Sequence, residues 1–448
     1  MEVPLFIYML TSFLKTPIFQ NLIYEKSCFE RYDQNVTFCT NASAYYEDKK
    51  IQTDANHFYS ISSYTLMFPS LISTLFLGVV SDYWSIKIPL IIPFVGLILG
   101  TVNYIFQTIY IHSNIHWLLI SDAIFGICGG YISIISTTMS YGVKTTGKNA
   151  RSYRIAGMEG AIGLGGTIGY ALSGTIRQAF GYDYTFLVIL ILQLIGLIYI
   201  IVLARDHIDS SEHRRLTSSS TATNPSRCSL FFSQVYTVIQ SFYEVLAVPR
   251  ETRKFIWLNL LALGLELLIF SGLSDIQFSY FRFKLAWTDK EYGWFSGLSF
   301  GLTTFTVLTI YPLCRSRGVS DGQLGVFGIF FKILSLIVLA FLQNAFMAYS
   351  VSAITMFNRF VSSSLRSFLS SLIMNNEQGK MFSLIALLEG ITSLAATSIY
   401  NNVYPLTLSF FPGLCYLASA VLLLPSLTIL GYSDHKIRKM QEMENFET

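Results

Sequence analysis

The chain has 448 residues, of which 52% are hydrophobic and 13% are charged, and its mean hydropathy is +0.50. Soluble proteins carry about 25% charged residues, so this composition excludes a soluble enzyme and indicates a chain that lies within a lipid bilayer. The net charge of +3 comes with basic residues scattered between apolar runs, which excludes nucleic acid as a partner.

The apolar runs are continuous rather than alternating, which excludes an outer-membrane β-barrel. Each run has about the 20 residues that a transmembrane helix needs. They predict an all-α polytopic membrane protein with 12 transmembrane helices. The six spans of the first half are predicted at 3–24, 58–80, 88–111, 117–142, 154–176 and 184–203. Those of the second half are predicted at 255–281, 292–311, 323–342, 345–372, 381–402 and 406–431.

This division predicts two six-helix bundles joined by a polar linker. The linker is rich in serine, threonine and asparagine, a composition typical of disordered segments. The predicted boundaries are 1–204 for the N-terminal bundle, 205–254 for the cytosolic linker, 255–431 for the C-terminal bundle and 432–448 for a cytosolic tail.

Orientation follows from the excess of basic residues that cytosolic loops carry. Eighteen lysines and arginines fall on one face of the predicted spans and eight on the other, so we expect both termini in the cytosol. The first loop, 25–57, lies on the opposite face and holds two glycosylation sequons, at Asn35 and Asn41, which are either used or present by chance.

Cys28 and Cys39 share this loop, where oxidation is permitted, and we predict a disulfide between them. The six cysteines show no metal-ligand spacing.

Spans five and eleven share a pattern that favours an internal duplication, with a chance match as the alternative. The offsets are identical, and the two spans hold the same place in their halves. Span five contains Glu159-Gly160, Leu164, Thr167 and Tyr170, and span eleven contains Glu389-Gly390, Leu394, Thr397 and Tyr400.

The sequence disfavours enzyme chemistry within the membrane. All six histidines fall in loops, span ends or the tail, so no base is available there for a serine or cysteine nucleophile. The chain has no Walker-type glycine-lysine loop, which removes ATP as the energy source, and no cofactor is indicated. Secondary transport remains, and the alternative is a non-transporting receptor or scaffold that uses a transporter fold.

Ionisable residues inside the predicted spans are the candidates for the transport site, because a charge in the hydrocarbon region costs at least about 2.5 kcal/mol. A carboxylic acid in a partly dry cavity can hold and release a proton near physiological pH, and the cations would then suit an organic anion. The acidic candidates are Asp122, Glu159, Glu266, Asp275 and Glu389, and the basic candidates are Lys15, Lys332, Arg359 and Arg366.

Several of these candidates also have a structural interpretation. Glu159 is either a coupling carboxylate or an ion-pair partner in a glycine-rich helix. Arg359 and Arg366 are seven residues apart on one helical face. They form either a rail for the substrate or a ladder of hydrogen bonds to the serines at 362–364.

The remaining candidates differ in where their side chains can reach. Lys332 can snorkel to a helix end, which favours a structural role. Lys15 precedes Pro17 at a predicted kink, where a cavity role and a structural role are equally compatible with the sequence. Glu266 and Asp275 point to opposite faces of one helix, so at most one of them faces a central path.

Five segments carry a resemblance to known transporters. The run 78–82, Gly-Val-Val-Ser-Asp, with Lys87 following, resembles the loop signature of major facilitator transporters, although Ser85 and Ile86 depart from it. Segments 24–26, 153–159, 365–379 and 404–408 are similar to solute carrier family 46, the proton-coupled folate transporter family, and the resemblance runs over nearly the whole chain. It implies the 12-helix major facilitator fold and proton-coupled uptake or lysosomal export of organic anions such as folates, steroid conjugates or muramyl peptides.

The resemblance implies roles for individual residues. Glu159 falls on the family's proton-coupling glutamate, Arg366 on its substrate-and-proton arginine, and Gly78, Asp82 and Lys87 on its gating loop. Four positions depart from the folate transporter: Asp122 replaces an arginine, Gly130 an aspartate, Phe270 a histidine and Ala286 a disulfide cysteine. Glu389 matches the non-folate branches, so the resemblance favours a non-folate sister member.

The sequence therefore predicts a symporter that moves a small organic anion with protons by alternating access. Proton coupling is expected at Glu159, Glu389 and Asp275, and substrate binding at Arg366, Arg359, Lys15 and Asp122. We expect a monomer in the plasma membrane or the lysosomal membrane, with no metal and no cofactor.

Overall fold

The computed structural model describes residues 2–32, 36–40, 42–83, 87–144, 151–203, 252–373 and 378–447. Within these ranges the chain is helical and contains no β-strand, which confirms the all-α class. The sequon asparagines Asn35 and Asn41 lie outside the described residues, as does the predicted linker up to residue 251.

The helices of the first half include one short 3-10 helix, Ile115–Leu118. The α-helices are α1 (Glu2–Arg31), α2 (Val36–Cys39), α3 (Ala42–Tyr45), α4 (Lys49–Tyr83), α5 (Ile88–Ile109), α6 (Leu119–Ile127), α7 (Gly130–Lys144) and α8 (Arg151–Leu203).

The second half contains one π-helix, Thr306–Ile310. Its α-helices are α9 (Arg253–Leu285), α10 (Asp289–Phe305), α11 (Tyr311–Ser316), α12 (Asp321–Ala340), α13 (Ala345–Thr355), α14 (Arg359–Ser371), α15 (Gln378–Thr407), α16 (Leu414–Leu422) and α17 (Leu424–Glu447). Across the described ranges, nine helical segments are long and apolar enough to cross a membrane. The chain is a multi-pass membrane protein, and the count of 12 spans stays a prediction.

Helix α8 holds two predicted spans without a loop between them. Its 53 residues change direction at Gly181, where φ is 80° and ψ is 177°. Residues with a Cβ are essentially excluded from this backbone conformation. The change of direction at Gly181 therefore replaces the loop predicted between spans five and six.

Predicted spans four and ten are broken rather than continuous, which corrects the sequence prediction. Span four divides into α6 and α7, and the hydroxyls of Ser70 and Thr74 donate hydrogen bonds of 2.8 and 3.2 Å to the carbonyl oxygen of Gly129 at the break. Span ten divides into α13 and α14, and the Thr306 hydroxyl donates to the carbonyl oxygen of Met356. A neighbouring hydroxyl satisfies a carbonyl released by each break, and hydropathy alone does not reveal such a contact.

The described residues form two compact units. Unit 1 takes those within Met1–Tyr45, Phe58–Thr237 and Thr288–Gly297, and unit 2 takes those within Tyr46–His57, Val238–Trp287 and Leu298–Thr448.

In unit 1, glycines on α8 allow close packing of backbones. A Cβ at Gly169 would lie 2.5 Å from the carbonyl oxygen of Leu10 on α1. The first turns of α10 pack against α8 in the same way. A Cβ at Gly174 would lie 2.5 Å from the carbonyl carbon of Asp289, and one at Gly293 would lie 2.5 Å from the carbonyl oxygen of Tyr170. Small residues at such contacts let membrane helices approach closely.

In unit 2, α9 packs against α15 and α12 packs against α14. Gly272 on α9 lies under the ring of Tyr400, where a Cβ would come within 2.5 Å of Cε2. This close approach brings the polar side chains of α9 and α15 within hydrogen-bonding distance of each other.

Candidate functional site

The polar cluster of unit 1 surrounds Asp122 on α6. Its side chain is 4% exposed, and its carboxylate accepts hydrogen bonds from Ser62 Oγ at 2.6 Å and from the Tyr104 hydroxyl at 3.0 Å. Lys15 Nζ lies 5.0 Å from the centroid of the Tyr104 ring and 5.6 Å from that of Phe19, a cation–π arrangement.

Lys15 is the member of this cluster that is suited to an external anion. The oxygens of Asp122 are engaged by hydroxyl donors, whereas Lys15 has no hydrogen-bond acceptor among the described residues. The cluster therefore contains one cation, Lys15, beside two aromatic rings, and one carboxylate, Asp122, whose oxygens are already hydrogen-bonded. Contact of Asp122 with substrate stays a prediction.

Glu159 lies on α8 with its side chain exposed, next to the fully buried Met158. No described residue contacts its carboxylate. The ion-pair interpretation of this residue therefore has no partner in the described part of the chain.

Arg366 on α14 forms an ion pair with Glu389 on α15. Arg366 Nη2 lies 2.8 Å from Glu389 Oε2, and the side chains are 39% and 52% exposed. Because neither side chain is enclosed by the described residues, a ligand can reach either partner of the pair. The pair joins a predicted substrate residue and a predicted coupling residue.

Arg359, at the start of α14, stacks on Phe300, whose ring centroid lies 4.6 Å from the guanidinium carbon. Among the serines of 362–364, Ser362 donates to the backbone oxygen of Arg359 and Ser364 to that of Asp321. The rail and the ladder both stay predictions.

Asp275 on α9 is held by neutral partners. Its Oδ2 accepts hydrogen bonds from Thr397 Oγ1 at 2.7 Å and from Asn401 Nδ2 at 3.2 Å, both on α15. Glu266, two and a half turns earlier, contacts a different helix, as its predicted opposite face requires.

The expectation that Lys332 snorkels is wrong. Lys332 Nζ on α12 lies 2.7 Å from Glu266 Oε1 on α9, and the two side chains are each 4% exposed. The ammonium is therefore held by a buried carboxylate and not by water at a helix end, which agrees with the structural role that the sequence favours.

The gating-loop residues are only partly described. Gly78 and Asp82 lie in the last turns of α4, and the surroundings of these two positions are outside the described part. Lys87 donates from Nζ to the carbonyl oxygen of Ile201 at 2.6 Å, near the C-terminal end of α8, where a cation is favoured. In the first loop, Cys28 and Cys39 are joined by a disulfide, as predicted.

A buried ion pair escaped the sequence analysis. Arg177 on α8 contacts both carboxylate oxygens of Asp289, which is fully buried at the start of α10. Tyr182, whose ring lies 5.1 Å from the guanidinium carbon, donates to Glu25 Oε2 at 2.8 Å and accepts from Asn21 Nδ2 at 2.6 Å. Arg177 and Asp289 lie just outside predicted spans five and eight, so a search for charges within spans passes over them.

Lys26 also escaped attention, although it lies in a segment that carries the family resemblance. Its Nζ lies 3.0 Å from the carbonyl oxygen of Ile111, 3.1 Å from that of Ser113 and 3.0 Å from Ser113 Oγ. Burial lowers the pKa of this amine to about 8, against the opposing effect of Glu30 and Glu25. The lysine ties the end of α1 to the loop after α5.

The sequence profile of the Major Facilitator Superfamily matches residues 37–397. The chain therefore belongs to the Major Facilitator Superfamily. The human lysosomal proton-coupled steroid conjugate and bile acid symporter SLC46A3 is 25% identical over 405 residues, which cover 89% of this chain and 85% of the relative. The proton-coupled folate transporter of Rattus norvegicus is 24% identical over 411 residues, which cover 91% and 85%. The resemblance to solute carrier family 46 is confirmed, and the matches fit a non-folate sister member. The relatives are transporters, not enzymes.

Solved structures confirm the major facilitator fold. The human organic anion transporter MFSD10 (TETRAN) has a TM-score of 0.66 at 13% identity, covering 96% of this chain and 97% of that one. A peptide transporter of the POT family in complex with sulfate has a TM-score of 0.66 at 14% identity, covering 96% and 94%. At these identities the likeness concerns the fold alone.

Proposed function

We propose that this chain is a proton-coupled symporter of an organic anion that works by alternating access. The Arg366–Glu389 pair carries the proposal. While Glu389 is ionised, it neutralises Arg366. A proton on Glu389 removes that competition, and the guanidinium then binds the anionic group of the substrate. Proton and substrate thereby stabilise each other's binding, as symport requires.

The other predicted residues have places in this scheme. Glu159, which no described residue engages, is a second carboxylate available to a proton, and Asp275 is the third. In unit 1, Lys15 supplies a cation for the substrate, with Asp122 and Tyr104 beside it. Arg359 supplies a cation in unit 2. The names of the relatives, which specify steroid conjugates, bile acids and folate, support an organic anion as the substrate.

Uptake by the purified full-length protein in liposomes tests this proposal. Tritiated taurocholate and tritiated folic acid serve as probes, each with an acidic and a neutral exterior at equal internal pH. We expect acid-driven accumulation of at least one probe. Glu389→Gln and Glu159→Gln should abolish the pH dependence, and Arg366→Gln should weaken binding of the probe. Asp183→Asn is the matched control, because this exposed carboxylate lies at the kink of α8 without a described partner.

The receptor or scaffold alternative gives a different result in the same liposomes. A receptor would bind the probe without counterflow, that is, without exchange of internal unlabelled for external labelled compound. Unchanged acid-driven accumulation in Glu389→Gln and Glu159→Gln together would refute the coupling scheme.

We also propose that the chain lies in the plasma membrane or the lysosomal membrane with both termini in the cytosol. We propose further that it is a monomer, with its two six-helix bundles at 1–204 and 255–431. The distribution of basic residues supports this orientation, and so does the disulfide in the first loop, which an oxidising compartment favours. A mobility shift on glycosidase treatment, lost in Asn35→Gln and Asn41→Gln together, would place that loop in the lumen or outside the cell. Cleavage of a C-terminal tag by protease added outside intact cells would contradict this orientation.

A further inference from the structure

The carboxylates of the described helices differ in what holds them. Glu266 is paired with Lys332, Asp289 with Arg177, and Glu389 with Arg366. Each of these partners is a cation, which can only donate. Asp275 differs from these three, because its two described partners are a hydroxyl and an amide. Asp122 also accepts from two hydroxyls, but the Lys15 cation lies over the ring of its partner Tyr104.

Hydroxyls and amides can serve both protonation states of a carboxyl group. The hydroxyl of Thr397 donates to the carboxylate and can accept from the carboxylic acid. The amide of Asn401 offers Nδ2 to the carboxylate, and a half-turn about its last bond would offer Oδ1 to the acid. A cationic partner has no acceptor to offer, so it favours only the ionised state.

In the present orientation Asn401 Nδ2 also donates to the backbone oxygen of Thr397 at 3.2 Å, which the half-turn would break, but the other end of the amide is left unpaired. Asn401 is 1% exposed, and its Oδ1 has no hydrogen-bond partner among the described residues. A buried acceptor without a donor is costly, and a proton on Asp275 is the donor that the neighbouring group would supply after the half-turn. Thr397 is fully buried, so water does not replace its hydroxyl.

The internal repeat strengthens the assignment. Thr397 occupies the position that Thr167 occupies in span five, but the two hydroxyls do different things. Thr167 Oγ1 donates to the carbonyl oxygen of Gly163 in its own helix at 2.8 Å, whereas Thr397 Oγ1 reaches a carboxylate on another helix. Gly272, which permits contact with Tyr400, brings α9 and α15 close enough for this bond.

We propose that Thr397 and Asn401 are positioning residues for Asp275, and that they hold its carboxyl group in both protonation states and set the pH at which it takes up a proton. The inference rests on the proposed function, in which Asp275 is one of the coupling carboxylates.

No other ionisable group contacts Asp275 in the described part of the chain. The titratable and charged side chains described on the helices packed against this part of α9 are Glu389, Tyr400 and Tyr404 on α15, Arg359 and Arg366 on α14, Cys415 and Tyr416 on α16, those within 432–439 on α17, and Asp54 and His57 beside Asn56 on α4, which accepts from Ser279. The side chain of Lys380 on α15 lies outside the described part. Glu389 and Arg366 pair with each other, and Tyr400 bonds to Ser419 at 2.7 Å. On α9 itself, Glu266 is held by Lys332, and Tyr280 donates to the backbone oxygen of Leu339. The buried Arg282 lies over the ring of Phe278, and Arg253, Lys254 and Lys284 lie at the helix ends.

Infrared titration of the purified full-length protein tests the inference without a substrate. The carbonyl stretch of protonated Asp275 is isolated as the wild-type spectrum minus that of Asp275→Asn, and its amplitude is followed against pH. Each variant removes a hydrogen bond from the anion, which is worth about 1–2 pH units at the midpoint, and a weaker one from the acid, which offsets part of it. We therefore expect the midpoint to move to higher pH, by less than about 2 units, in Thr397→Val and in Asn401→Ala. Thr397→Ser should restore the wild-type midpoint.

Thr407→Val is the matched control. Thr407 lies on the same helix and is 2% exposed, but its hydroxyl donates to the backbone oxygen of Tyr404 at 2.7 Å. Its removal should leave the midpoint unchanged. Thr397→Val and Asn401→Ala are read independently, so the failure of one to fold leaves the other to decide.

The outcomes separate the inference from the proposed function. A band that titrates in the wild type but keeps its midpoint in both variants overturns the positioning role, whatever transport does. Absence of any titrating band in the wild-type difference spectrum overturns the coupling role of Asp275, and the positioning role with it. A moved midpoint together with an equally moved pH profile of probe uptake supports both.

Discussion

Removing one partner of the buried Glu266–Lys332 pair should destabilise unit 2 far more than removing both. The two side chains are each 4% exposed, and Glu266 Oε2 has no hydrogen-bond partner among the described residues. In Lys332→Met the carboxylate, and in Glu266→Gln the ammonium, would therefore remain buried without a counter-charge. The loss of one partner of such a pair costs about 3–5 kcal/mol, whereas replacement of both by apolar residues of similar volume is often neutral or stabilising.

Thermal unfolding in detergent, followed by the fraction that remains monodisperse, measures the effect. For a unit of this size about 1 kcal/mol shifts Tm by roughly 2–4 °C, so each single variant should melt about 6–20 °C below the wild type. The double variant Glu266→Leu with Lys332→Met should regain most of this loss.

The double variant also separates structure from coupling. We expect it to keep the pH profile of probe uptake, because we assign the pair no part in proton transfer. The reasoning is refuted if the Tm of the double variant is as low as that of the single variants, or if either single variant has the Tm of the wild type. A flattened pH profile in a double variant of normal stability would instead make Glu266 a coupling carboxylate.

Three further predictions concern local features. Gly181→Ala should lower the free energy of unfolding by about 1–3 kcal/mol, because alanine is strained at a φ of 80°. A Cβ there would meet no atom within 4 Å, so the cost is one of backbone conformation and not of a clash. Gly160→Ala is the control: its Cβ would also meet nothing within 4 Å, but the residue lies in regular helix, so Tm should not fall. Cys28→Ser should lower the free energy of unfolding by about 3 kcal/mol, because the unfolded chain regains the conformational entropy that a bond across 11 residues removes. An unchanged Tm in non-reducing buffer would show that the bond contributes nothing. Since burial favours the neutral amine of Lys26, the folded chain binds fewer protons than the unfolded chain between about pH 8 and 10.5, and this contribution to stability rises with pH. The slope of Tm against pH in that window should fall in Lys26→Met, and an equal slope would contradict the role of burial.

Hydropathy was sufficient to predict the all-α class, because the bilayer requires long apolar helices. It did not predict where helices break. The break between α13 and α14 depends on a hydroxyl from Thr306, some 50 residues away in sequence, and the kink in α8 depends on one glycine whose φ is positive. Local patterns contain neither kind of information.

The site was predictable to the extent that charge within a span is expensive. That argument identified Arg366 and Glu389, and the structure brings them together. It could not identify partners, since a threonine or asparagine in a span costs little and gives no signal. The match between Thr167 and Thr397 was visible in the repeat, but only the packing of α9 on α15 shows that one of the two threonines reaches Asp275.

At the glycine contact between α8 and the start of α10, the distance between the two helices is set by contact of their backbones. The three atoms nearest to a Cβ at Gly174 all belong to the backbone of Asp289 and Lys290, and a Cβ at Gly293 would meet the carbonyl oxygen of Tyr170 as well as Ser173 Oγ. Rotation of a side chain could therefore not make room for the added atom. One methyl group would act as a wedge that sets a minimum gap between the helices and would pull the Arg177 fork away from its carboxylate. Any state of the transport cycle that parts these helices would then gain in population at the expense of the state described here.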